Sequence, residues 1–401
     1  RHVTGDKAIA VVVGFAGAGK STLLEVANLA WTAAGHQVVG AALAGKAADG
    51  LQQSAGIASR TLASWEHAWS AGRDQLAKGD VFVIDEAGMV SSKQMARVIA
   101  TVKAAGAKLV LVGDAMQLQP IEAGAAFRAI AERIGYLELG GIRRQKDAWA
   151  QEASRQLARG QVRAALEAYR VHGAIREPVD RVDATRKIVT DWMTAQAEIR
   201  AKAAAQSKSV RGDELLVLAH TNADVVALNK GIRAARTEQD EFRDARTVMT
   251  ERGAREFAVG DRMIFLQNAI FEEPLAPRLG RQNVKNGMLG TVIATKGMAG
   301  EALMRVRLDN GAEVAFGAGS YANVDHGYAA TIHKSQGVTV NRVLVMATKS
   351  MDQHLAYVAL SRHRDQVTVY APKSEFATFE KLSEALGRSG AKSTTLDFEN
   401  E

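Results

Sequence analysis

Residues 8–22 read AIAVVVGFAGAGKST: an unbroken apolar run, a glycine-rich loop, and then Ser21 and Thr22 leading into the helix-forming stretch LLEVANLAW. Apolar, largely β-branched residues stopped by glycine predict a buried strand, and the glycines let the backbone turn tightly after it. The spacing Gly14-x-x-x-x-Gly19-Lys20-Ser21, with Gly17 inside it and Thr22 behind it, is that of a phosphate-binding loop. Backbone N–H groups, the Lys20 ammonium and the positive end of a helix then converge on anionic oxygens. Ser21 is placed to put its hydroxyl on a magnesium ion. A strand–loop–helix of this kind needs a parallel sheet with crossover helices around it.

The next segments supply that sheet. QVVGAAL (37–43), VFVID (81–85) and KLVLVGD (108–114) are strand-like and alternate with helical stretches such as 89–104. Residues 145–208 read as almost wholly helical and polar. A second strand series comes in ELLVLAH (214–220), RVLVMAT (342–348) and QVTVYA (366–371). Within it lie short alternating runs, REFAVGDRMIFLQN (255–268), GMLGTVIAT (287–295) and LMRVRLDNGAEVAF (303–316), the last turning at Asn310-Gly311. The chain is therefore expected to be α/β, with two lobes joined by helices and a small antiparallel barrel inserted in the second lobe. The tail beyond about 375 is expected to be helical and then polar.

Composition narrows the chemistry. No cysteine is present, so thiol catalysis, disulfides and cysteine–zinc sites are excluded. The 9 histidines are scattered without an H-x-H pair, which argues against a histidine metal cluster. A formal charge of +7 favours a polyanionic partner. No apolar run approaches the ~18 residues of a membrane span. The chain starts at Arg1 rather than methionine and is expected to be part of a longer protein.

Acids and amides at strand ends extend the loop's chemistry. Asp85-Glu86 closes VFVID, at the carboxyl edge of the sheet where ligands bind in such folds. Asp85 would hold magnesium through water and Glu86 would act on the attacking water; the alternative is an acidic pair capping the next helix. In LVGDAMQLQP (111–120), Asp114 and Gln117 come after the next strand, and Gln117 would contact a γ-phosphate or its attacking water unless it is only a polar loop residue. GIRRQ (141–145) and LSRHR (360–364) each set arginines after an apolar segment. Such arginines either reach phosphate or are simply solvated.

Taken in order, GFAGAGKST, AALAGKAA (41–48), SRTLASW (59–65), VFVIDEA, LVGDAMQLQP, IRRQ, YAATIHKSQGVTV (328–340) and YVALSRHR (357–364) resemble a superfamily 1 helicase. GDAMQLQPIEAG, IHKSQG and the barrel insertion resemble its RecD-like branch, and the motor region of TraA-type conjugative relaxases of Ti and related plasmids above all. That resemblance implies RecA-like lobes at 1–141 and, after linking helices, from within 142–250, with a Src-homology-3-like barrel at 251–321. The second lobe would resume at 322–375, leaving a tail at 376–401. It implies an ATP-dependent, magnesium-using 5′-to-3′ translocase or helicase on single-stranded DNA. A cytoplasmic location is implied as well, with fusion to an N-terminal relaxase domain and work within a conjugative transfer complex.

By the same resemblance Lys20, Ser21, Asp85, Glu86 and Gln117 match nucleotide and magnesium positions, alongside Gly14, Gly17, Gly19, Thr22 and Gly337. Arg144 and Arg362 match the two arginines that approach the γ-phosphate. Thr61, Thr331, His333 and Ser335 match contacts to the DNA strand. Phe127 and Tyr328 are candidates for stacking on bases, with core packing as the alternative. Three departures stand out. No glutamine precedes residue 37 to read adenine, Thr339 replaces a glutamate expected near the ribose, and WEHAWSAGRDQLAKG leaves little room for a strand-splitting hairpin. Alternative readings are a RecD-like repair helicase, a helicase fold that binds nucleic acid without turnover, a phosphate-loop kinase or GTPase, and a structural or scaffolding protein. A GTPase would need N-K-x-D, whereas Asn229-Lys230 precedes Gly-Ile.

Overall fold

The computed structural model describes residues 2–114, 116–118, 125–208, 210, 212, 214–272, 279–296, 303–317 and 319–390. Of the stretches expected from the sequence, residues 115 and 119–124 of GDAMQLQPIEAG, residues 273–278, 297–302 and 318 of the expected barrel, and the end of the tail lie outside these residues. In chain order the elements begin with β1 (Ile9–Gly14), α1 (Lys20–Ala33), β2 (Val38–Ala42), α2 (Gly45–Ala55), β3 (Ala58–Thr61) and α3 (Leu62–Ser70). Then come β4 (Val81–Ile84), α4 (Ser92–Ala105), β5 (Lys108–Gly113), α5 (Ala126–Ile134), β6 (Leu137–Leu139), α6 (Ala148–Ala158) and α7 (Val162–Val171). Next are β7 (Ile175–Arg176), α8 (Arg181–Ala205), β8 (Leu215–Ala219) and α9 (Asn222–Glu238). After them run the strands β9 (Arg243–Thr250), β10 (Gly253–Val259), β11 (Arg262–Phe265), β12 (Ala269–Phe271), β13 (Gln282–Val284) and β14 (Leu289–Ala294). The last are β15 (Leu303–Leu308), β16 (Glu313–Gly317), β17 (Val324–His326), β18 (Ala329–Thr331), β19 (Val340–Met346), α10 (Gln353–Leu360), β20 (His363–Tyr370) and α11 (Phe379–Leu386).

Contacts divide the chain into two units, and α10 with its flanks (Asp352–Ser361) belongs to the first although the chain reaches it from the second. The first unit is built on a sheet of order β3-β2-β4-β5-β1-β6. Every pairing in it is parallel, for example Val11 opposite Leu111 and Val83 opposite Val110. Its central strands are apolar on both faces because both faces are covered. Val11, Phe82, Ile84, Leu109 and Leu111 face Leu62, Met95, Val98 and Phe127 of α3, α4 and α5. Val12, Val81, Val83, Val110 and Val112 face Leu24, Trp31, Leu51 and Ala55 of α1 and α2. Each such buried aliphatic side chain contributes roughly 1.5–3 kcal/mol.

The second unit holds a parallel sheet of order β18-β8-β19-β20-β7, whose partners include Leu344 opposite Val217 and opposite Thr368. On one face Ile188 and Trp192 of α8 and Val225, Leu228 and Ile232 of α9 pack on Val217, Ala219, Leu344 and Met346. Between α9 and β18 the chain makes an antiparallel sheet of order β16-β15-β14-β11-β17 with the two-stranded pairs β9–β10 and β12–β13. Its interior is Phe257, Met263, Phe265, Val292, Met304, Val306 and Phe316. These antiparallel strands run from Arg243 to His326, and the β15–β16 turn falls at Asn310-Gly311, with Gly311 at φ 90°.

Candidate active site

Because all strands of the first sheet run the same way, the residues that leave β1, β3, β4, β5 and β6 gather at one edge. After β1 comes the loop Phe15–Gly19. Gly19 caps α1 at φ 86°, ψ 26°, and no side chain bonds the helix N-terminus, nor does any acid sit in its first turn. Gly17 has φ 81°, and a Cβ there would fall 2.5 Å from Arg144 Cβ, so only glycine lets the segment after β6 lie on the loop. The Arg143 N–H donates to Gly17 O at 3.0 Å and completes that contact. Lys20 Nζ donates to Gly14 O at 2.8 Å and Phe15 O at 3.4 Å, which keeps the ammonium over the loop.

After β4, burial pushes the Asp85 carboxyl up to about 6; neighbouring Glu86 adds to the rise and Lys20 opposes it. A carboxylate so short of solvation gains from a nearby cation. Asp85 Oδ1 accepts the Glu86 N–H at 2.9 Å, and Glu86 sits in the left-handed region at φ 51°. That conformation costs a non-glycine residue of order 1 kcal/mol or more, a strain typical of functional turns. Among the described residues no group of three or more His, Cys, Asp or Glu could hold a metal. Ser21 lies in the first turn of α1 and Asp85 follows β4, both at this edge of the sheet.

After β5, Asp114 is buried, and that burial raises its pKa. It accepts from Met116 N–H at 3.1 Å, Gln117 Nε2 at 3.3 Å and the Tyr357 hydroxyl at 2.7 Å. Gln117 is buried too, and among the described residues its Oε1 has no hydrogen-bond partner. An orphaned acceptor at this edge fits a site completed by a water or a phosphate-bound hydroxyl. Arg144 Nη1 donates to Ser361 O at 2.9 Å, and Gln145 Nε2 reaches the same carbonyl at 3.3 Å. Lys20, Ser21, Asp85, Glu86, Gln117 and Arg144 thus share one edge of one unit. Tyr357 joins them, and the sequence marks it only as a member of the block YVALSRHR.

Thr61 ends β3 at the same edge, where its Oγ1 accepts from Ser64 N–H at 3.2 Å and caps α3. From Leu62 to Asp80 the chain forms α3 and connecting turns without a strand. Phe127 is 2% exposed within the sheet's core, so its ring is not available to stack on a base. Tyr328 is equally enclosed: its hydroxyl donates to Asp261 and accepts from Arg236 Nη1 at 2.7 Å, and its ring meets Trp192 edge-on. Core packing is therefore the reading that holds for both aromatics.

The remaining residues lie in the second unit. Thr331 closes β18 and His333 is exposed on the short turn Ile332–Ser335. Ser335 is buried and its Oγ donates to Ile332 O at 2.7 Å, which commits that hydroxyl to its own turn. The His333 ring lies 6.0 Å from that of His220, whose Nδ1 is 2.8 Å from Ser350 Oγ. His220 and Ser350 come after β8 and β19, so they share the carboxyl edge with His333; for His220 the signal is a polar residue directly after a buried strand, while Ser350, four residues past β19, has none. Gly337 adopts φ 73°. Arg362 is almost fully buried, and its carbonyl accepts from Val340 N–H at 3.1 Å.

Known proteins resemble this chain in sequence and in fold. Residues 1–180 match a family described as an AAA domain and residues 291–371 match the viral superfamily 1 RNA helicase core domain. The chain is similar to the conjugal transfer protein TraA of Rhizobium radiobacter, 46% identical over 400 residues, 100% of this chain and 34% of that protein. It is 27% identical over 368 residues to the ATP-dependent RecD2 DNA helicase of Deinococcus radiodurans, covering 89% of this chain and 46% of that one. Its fold is like that of Pif1 helicase from Bacteroides, solved in complex with ADP-AlF3 and single-stranded DNA. The TM-score is 0.58 and the identity 20%, with 98% of this chain and 94% of that one covered. The chain spans about a third (34%) of the length of the TraA relatives it matches. No helix among the described residues is long and apolar enough to cross a membrane.

Proposed function

The chain belongs to the superfamily 1 helicases and is homologous to TraA conjugal transfer proteins, and from that premise we propose that it is an ATP-driven, 5′-to-3′ motor on single-stranded DNA. The observation that carries the proposal is the first unit's edge, where an uncapped helix N-terminus, Lys20, two acids and an orphaned Gln117 amide oxygen meet. The motor would be part of a conjugative relaxase working in the cytoplasm, with the DNA-nicking domain N-terminal to it and a transfer complex as its partner.

Lys20 and the N–H groups from Gly17 to Thr22 would hold the β- and γ-phosphates of ATP. Ser21 and Asp85 would hold magnesium, which supplies charge neutralisation on those phosphates. Glu86 would orient and deprotonate the attacking water while Gln117 accepts a hydrogen bond from it. Arg144 and Arg362 would stabilise charge on the transferred phosphoryl group. Thr61, Thr331 and His333 would hold the DNA backbone, and His220 and Ser350 would extend that grip.

Displacement of streptavidin from end-biotinylated oligonucleotides tests direction. Movement 5′ to 3′ clears the 3′ end, and displacement only from the 5′ end would refute the polarity.

A further inference from the structure

We infer that Tyr357 is a positioning residue for hydrolysis: its hydroxyl fixes the orientation of the Gln117 amide by linking the phosphate loop to Asp114. The inference rests on the role proposed above for Gln117. The ring lies fully buried in α10, yet its oxygen is 2.7 Å from Ala16 N and 2.7 Å from Asp114 Oδ2. The Ala16 N–H can only donate, so the hydroxyl accepts there and gives its single proton to the carboxylate. Asp114, an acceptor when ionised, then draws the NH2 end of Gln117 toward itself at 3.3 Å. That leaves Oε1 as the end presented to a reactant, and Oε1 is the atom found without a partner.

The rest of α10 supports the same loop. His354 Nδ1 lies 2.9 Å from Met116 O, one residue from Gln117, and Ser361 O receives Arg144 and Gln145. One helix with its C-cap therefore touches the phosphate loop, the Gln117 loop and the Arg144 segment, and the next residue in the chain is Arg362. No other side chain of α10 bonds both the phosphate loop and Asp114 among the described contacts.

The test is Tyr357→Phe in the full chain, which keeps the ring and removes only the hydroxyl, compared with Gln117→Ala and the double variant. Steady-state ATPase with saturating single-stranded oligonucleotide should show kcat down about tenfold for Tyr357→Phe, the scale of one lost hydrogen bond of about 1.4 kcal/mol. The KM for ATP and the affinity for a fluorescent ADP analogue should stay within about twofold. The double variant should be no slower than Gln117→Ala alone, because both changes act through one group. An unchanged kcat in Tyr357→Phe beside an impaired Gln117→Ala overturns this inference alone. Normal rates in both overturn the role of Gln117 as well. Losses that multiply in the double variant, or that fall equally on nucleotide affinity, make Tyr357 a packing residue and also overturn it.

Discussion

The two parallel sheets of this chain end on carboxyl edges that differ in one physical respect. In the first, α1 starts from Gly19 with no side-chain cap and no acid in its first turn, so its N–H groups and positive dipole end are open to an anion. In the second, the equivalent helix α9 starts from Thr221, whose hydroxyl accepts from Asp224 N–H at 3.1 Å, and Asp224 itself occupies the first turn. That N-terminus is already satisfied, and Asp224 also pairs with Arg181 at 3.3 Å, so its first turn is closed rather than open to an anion. Two sheets of the same architecture thus carry different chemistry because the loops and helix caps at their strand ends differ. One edge leaves a helix N-terminus open, and the other closes its own and gathers His220, His333 and Ser350.

The contrast breaks most sharply at Arg362. It is a second-unit residue with a proposed role in the first unit's chemistry, so Arg362→Ala should lower ATPase turnover by ~10³, the scale of an arginine finger, with ATP affinity little changed. Normal hydrolysis in a variant that only melts earlier would make the arginine structural. A smaller effect sharpens the second unit's side. Tyr328→Phe removes the hydroxyl between the buried Asp261 and Arg236 and should destabilise the fold by about 1–2 kcal/mol in urea denaturation. An unmoved midpoint would mean that Arg233, Gly260 and Glu241 already satisfy those charges. Smallest is His333→Ala, which should raise the oligonucleotide concentration for half-maximal ATPase on the order of fivefold, about 1 kcal/mol, without moving the KM for ATP. No change would remove His333 from the DNA track.

Much of this contrast is legible in the residues. Glycine spacing marks the phosphate loop, and unbroken apolar runs such as VFVI mark strands covered on both faces. Asp85, Asp114 and Gln117 stand out because they come after such runs. The features that sequence does not announce depend on burial and on distant partners. Tyr357 lies in an apolar helix, and its hydroxyl bonds residues 341 and 243 positions away in sequence. Phe127 and Tyr328 have the composition of stacking platforms, and only packing shows their rings enclosed. Ser335 likewise spends its hydroxyl on Ile332 O. The strand β9 is hidden because four of its first five residues, RDART, are charged or polar and all but Arg246 are exposed, so no alternation announces it. Edge strands β3, β6 and β7 are too short, at 4, 3 and 2 residues, to show a period.

The claim that hydrolysis is built at the first edge meets its most direct test in Glu86→Gln, measured for ATP binding and DNA-stimulated turnover in the same preparation, with Lys20→Ala beside it. Glu86→Gln should bind ATP as the parent does and lose turnover by ~10² to 10⁴, the range of a removed general base, while Lys20→Ala should lose nucleotide binding itself. Turnover like the parent's in the Glu86→Gln protein would contradict the account.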